Sequence, residues 1–165
     1  MNPILKYFKG EKAESILFII TGIVALAMAL YFIYELKTSF WKGVAIPFIV
    51  IASLEILVGF TVYIRSPKDI VKVENIYNNE PQKIKLEEIP RMEKVLHNFV
   101  IYRYVEIALI FIGIIFMYYT KNDTFLKGIG LGLFIKASIV LTLDFFAERR
   151  GIEYLSFLHN FIDKS

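Results

Sequence analysis

The chain has 165 residues, of which 56% are apolar and 16% aromatic, with 19 Lys or Arg against 16 Asp or Glu and no cysteine. That length is one domain's worth of chain. The absence of cysteine excludes disulfides, a thiol nucleophile and Cys-ligated zinc or iron–sulfur centres, and the net charge of +3 includes no basic cluster dense enough to hold nucleic acid.

The first fifteen residues, MNPILKYFKGEKAES, are polar and basic. The apolar run that follows is too long for a signal-peptide core, so it is read as a retained span over 15–34. Further runs cover 43–64, 99–119 and 125–147. Crossing about 30 Å of hydrocarbon takes roughly 20 apolar residues, and backbone groups in lipid must be satisfied within their own segment. All four runs therefore predict helices. A soluble domain could hide one such helix in its core, but hardly four. The fold class expected is an all-α membrane protein, a bundle of four transmembrane helices forming one domain over 1–165.

Pro47 is expected to bend the second span near its outer end. After that span comes the sizeable polar segment, 66–98. Within it DIVKVENIY (69–77) has apolar residues at helical spacing and is expected to lie along the membrane surface. Asn78-Asn79-Glu80-Pro81 reads as a turn. Pro90 fits the first turn of a helix that leads into the third span. Gly128-x-Gly130-x-Gly132 opens the fourth span. With no strand before it, this pattern is a poor phosphate loop and a better close-packing face, and Gly22, Ala25 and Ala29 offer a similar face on the first span. Residues 151–162 form an amphipathic segment with Tyr154, Leu155, Leu158, Phe161 and Ile162 on one side, read as a surface-lying or partner-binding helix.

Lys and Arg fall 13 on the side of the two termini and the middle segment and 4 on the side of the short loops. By the positive-inside rule both ends are cytoplasmic, and the localisation expected is a bacterial inner membrane. Trp41, Tyr63, Tyr102, Tyr104, Tyr118 and Tyr119 sit where an aromatic belt belongs.

Sliding the chain by 85 residues places Phe40, Lys42 and Gly43 on Phe125, Lys127 and Gly128, and Arg65 on Arg150; nine of 52 positions from Glu14 to Arg65 are identical. Two readings stay open. One is a helical hairpin used twice in parallel, about an axis along the membrane normal. The other is four unrelated apolar helices sharing a biased composition.

Ionisable residues inside spans mark candidate sites. Glu55 and Lys136 lie near the centres of the second and fourth spans, about one helical turn apart in depth. Each alone would cost about 2.5–3.5 kcal/mol to insert, so a pair is expected. The readings are a structural ion pair that fixes helix order, two charges facing water in an oligomeric interface, and a coupling site in which Glu55 carries a proton and Lys136 tunes it. Toward the cytoplasmic ends, Arg103 and Glu106 share one face of the third span, while Asp144 and Glu148 share one face of the fourth. An Arg103–Asp144 contact is the natural expectation, with either ordinary helix-end pairing or a polar ligand cavity as its meaning. His97 and His159 are isolated, and no metal site or cofactor is expected.

No nucleophile–base pair and no phosphate loop appears, so an enzyme is the least favoured class. The reading preferred is a non-catalytic membrane interaction module. It would meet lipids, a protein partner in or beneath the bilayer, or a second copy of itself, but no nucleic acid. One form of it is an immunity protein against a pore-forming toxin. Four-span immunity proteins share this size and format, although no motif carries that likeness. The alternative is an oligomeric ion- or proton-coupled transporter or channel using Glu55.

Overall fold

The computed structural model describes residues 3–122 and 124–163; Lys164, one of the charges counted above, lies outside the described residues. Four helices account for nearly all of it: α1 (Pro3–Tyr31), α2 (Ser39–Asn79), α3 (Ile89–Tyr119) and α4 (Phe125–Ile162). Each contains a stretch long and apolar enough to cross a membrane. The chain is an all-α membrane protein.

The turns follow from local chemistry. α1 ends in a wider π-helical turn, Phe32–Leu36, closed by Lys37 in the left-handed region (φ 55°), whose N–H donates to Phe32 O. Thr38 and Thr124 then start α2 and α4, each hydroxyl accepting the backbone N–H three residues on (Trp41 and Lys127, 3.3 Å), as N-caps do. A second π-helical turn, Ile84–Glu88, leads into α3 with Pro90 in its first turn, where the missing proline N–H costs nothing.

Two expectations are corrected. Residues 69–77 do not form a separate surface-lying helix, because α2 runs unbroken through Pro67 to Asn79. Residues 151–162 are likewise the last three turns of α4. The segment 66–98 is thus mostly helix, folded over a tight turn at Glu80–Lys83. The physical reason is that leaving the hydrocarbon does not end a helix when its apolar face finds cover. Tyr154 and Leu158 are buried against Ile4, Tyr7 and Phe8 of α1, Val73 and Ile76 of α2, and Met92 of α3. Where water reaches this cluster it draws on the hydrophobic effect, and the tail's apolar face packs within its own chain. Glu88, also buried there, accepts Arg91 Nε at 2.8 Å and the Tyr154 hydroxyl at 3.0 Å. Burial, then the Glu88 carboxylate, holds the Tyr154 phenol above its ordinary pKa and keeps it a donor.

Packing in the span region uses small residues. Gly43 of α2 faces the backbone carbonyl of Phe125, and Gly128 of α4 faces that of Phe40; the next atoms met are Ile129 N and Val44 N. Gly113 of α3 and Gly130 of α4 face one another in the same way, a Cβ on either standing 2.6–2.7 Å from the other's carbonyl oxygen. Within lipid there is no hydrophobic drive between helices, so such backbone contact is what holds them. α1 packs along α2, α3 along α4, and α2 along α4, while α1 also touches α4. Among the described residues α3 makes no backbone approach to α1 or α2.

A cleft between the hairpins

The missing α3 contact leaves an open cleft of about 440 Å³ lined by all four helices. Its walls are mostly apolar, with Phe18, Leu54, Val58, Val105, Leu109 and Val140 among them. The reason one side closes and the other stays open is visible in the residues. Where α1 approaches α4, Gly10 leaves room for the Arg150 side chain, a Cβ there standing 2.6 Å from Arg150 Cδ. Arg150 then reaches Glu14. On α3 the apolar Val95 and Phe99 line the cleft instead.

Glu55 and Lys136 meet at the dry side of this cleft. Lys136 Nζ donates to both carboxylate oxygens, at 2.9 and 2.7 Å, and the two residues are 3% and 1% exposed. The sequence singled out both, and the helices bring them together. With two hydrogen bonds and almost no access to solvent, the pair joins α2 to α4.

Arg103 pairs with Glu148, not with Asp144; this corrects the expected contact. Asp144 and Glu148 lie one turn apart on α4, and the long Arg103 side chain reaches the residue nearer the terminal end of the bundle, which leaves Asp144 to a different neighbour. Glu106 of α3 and Asp144 of α4 come to the same seam, where both line the central cleft. Glu106 is 7% exposed, and its Oε2 is buried without a hydrogen-bond partner. Among the described residues neither carboxyl forms an ion pair. Both border the central cleft and also a second cleft of about 420 Å³ on the outer side of the α3–α4 seam.

The mouth of the central cleft holds further charges, with Glu11 and Glu14 not among the candidates read from the sequence. Arg65 pairs with Glu11 at 3.1 Å and with Asp69 at 2.9 Å, and Arg150 with Glu14. The signal was present. Arg65 and Arg150 end the second and fourth spans, and Glu11 and Glu14 precede the first, so all four share one depth. Carboxylates along the cleft are thus neutralised at Glu11, Glu14 and Glu55 and left unmatched at Glu106 and Asp144. His97 and His159 are not among the cleft-lining residues, and no group of three or more His, Cys, Asp or Glu residues placed to hold a metal occurs among the described residues.

The chain matches no known protein family, no curated protein and no solved structure. Its function is therefore argued from the cleft alone.

Proposed function

We propose that this protein is a non-catalytic binding protein of the bacterial inner membrane, taking a small amphipathic molecule from the bilayer into the cleft between its two hairpins. The observation that carries the reading is the cleft itself, about 440 Å³, apolar-walled, and bordered by a few buried polar groups. That size and lining are those of small-molecule sites, which run to roughly 300–1,000 Å³. A transmembrane helix of about 10 Å diameter asks for far more room. The volume therefore favours a small molecule over the helix of a pore-forming toxin, the occupant an immunity protein would need.

Two finer points belong to the same proposal. The orientation has both termini inside, supported by the distribution of Lys and Arg. The bundle is a hairpin used twice, supported by the reciprocal Phe40–Gly128 and Phe125–Gly43 contacts at the 85-residue offset. On this account the duplicated scaffold is symmetric at its crossing and differs in its charges, which is what opens one side. A transport reading would have to release Glu55 from Lys136. The doubly hydrogen-bonded, buried pair argues against Glu55 as a coupling group.

The test is a thermal shift with short phenylalkanols in detergent. A ligand that binds only the folded state raises Tm by mass action. A saturable rise of several degrees is expected for the natural sequence and none for Val140→Trp, whose indole fills the cleft. A non-saturable response, equal in both proteins, would sink the reading.

A further inference from the structure

The carboxyl pair at the α3–α4 seam has no role in holding the bundle that its geometry explains. Every other carboxylate at the cleft is met by a cation: Glu11 by Arg65, Glu14 by Arg150 and Glu55 by Lys136. The cation on the same face as Glu106, Arg103, is committed to Glu148. Glu106 and Asp144 line both clefts without a cation, and Oε2 of Glu106 is buried at the cleft wall with no donor among the described residues. A carboxylate oxygen only accepts, and leaving it unmet in a low-dielectric site is costly. The missing partner is thus a donor, and a positively charged one would also neutralise the second carboxyl. A divalent metal ion would ask for several oxygen ligands, whereas two carboxyls suit one ammonium group. The apolar walls ask for an apolar body attached to it.

We infer that the cleft recognises a protonated amine carrying an apolar body, its ammonium group seated between Glu106 and Asp144 and its apolar part lying along the central cleft. This rests on the cleft being a binding site and adds the charge and donor chemistry of its ligand. The ammonium could belong to a free amine or to an aminated lipid headgroup, since Glu106 and Asp144 border both the central cleft and the outer one.

The test compares two probes of one shape, 4-phenylbutylamine and 4-phenylbutanol, by equilibrium dialysis against the purified protein in phosphatidylcholine nanodiscs. The amine is expected to bind at least about tenfold more tightly than the alcohol, the scale of a hydrogen bond to a charged group. In Glu106→Gln/Asp144→Asn the two probes should bind alike, at the level of the alcohol. Removing two unmatched carboxyls leaves the bundle folded, which an unchanged or raised Tm for that variant checks. Adding phosphatidylethanolamine to the nanodiscs separates the sources: displacement of the amine supports a lipid headgroup, and no displacement supports a free amine. Equal binding of both probes to the natural sequence, abolished by Val140→Trp, would overturn the amine inference and keep the cleft. Equal amine preference in Glu106→Gln/Asp144→Asn would overturn it too. Binding of neither probe, or binding indifferent to Val140→Trp, would remove the cleft reading along with it.

Discussion

Lys136→Met is expected to destabilise the protein by about 3–5 kcal/mol, because it strands the buried Glu55 carboxylate without the ammonium that pairs with it. Glu55→Leu should cost a similar amount by stranding the ammonium. The double variant Glu55→Leu/Lys136→Met is expected to recover most of the loss, since apolar residues of similar volume replace a buried pair at little or no net cost. The measurement is a double-mutant cycle read by thermal and denaturant unfolding in detergent, in which the two single losses should greatly exceed the loss in the double. Single variants as stable as the natural sequence would mean that each charge finds water or a headgroup on its own, and the pair would not hold α2 to α4.

The second large effect is expected at the α2–α4 crossing. Gly128→Ala places a methyl group against the Phe40 carbonyl, and Gly43→Ala places one against that of Phe125. Backbone cannot move aside as a side chain can, so the two helices must part. Each change is expected to cost about 3 kcal/mol, the upper end of ordinary overpacking, and a leucine at either position should prevent the bundle from forming. Gly151→Ala is the matched control. Its new methyl meets the tip of the Leu96 side chain at 2.9 Å, which can rotate away, and alanine gains about 1 kcal/mol over glycine in a helix. That variant should be neutral or slightly stabilised. Equal Tm values for Gly128→Ala and Gly151→Ala would show that the crossing is looser than the geometry here.

What could be read from the sequence divides along physical lines. The four spans were legible because hydrocarbon thickness sets a length and lipid forces a helix, leaving composition little freedom. The Glu55–Lys136 contact was legible because two lone charges at nearly one depth have few other ways to be satisfied. The helix extensions past Arg65 and Ala147 were not. The charged residues and Pro67 that mark the membrane boundary also resemble a helix end, and only the cover supplied by Ile4, Phe8 and Met92 keeps those turns helical. The choice of Glu148 over Asp144 by Arg103 turns on one helical step and a rotamer, which depth alone does not resolve. The cleft was hidden more deeply. It depends on where α1 meets α4 through Gly10, Arg150 and Glu14 and on the apolar Val95 and Phe99 of α3 lining the open side, which no sequence pattern reveals before the helices are placed.

The proposed function requires the space between the hairpins to be a binding site and not a gap filled with loose lipid. Photolabelling with an apolar aryl diazirine in nanodiscs, with each labelled residue mapped by mass spectrometry, tests this most directly. Leu54, Val58 and Val140 line the cleft, whereas Phe111 and Ile115 of α3 are exposed side chains that are not among its lining residues. The account predicts labelling at the first group that saturates with probe, is competed by unlabelled probe and disappears at the cleft in Val140→Trp, while labelling at Phe111 and Ile115 rises linearly throughout. Linear, uncompeted labelling at Leu54, Val58 and Val140, indistinguishable from that at Phe111, would contradict it.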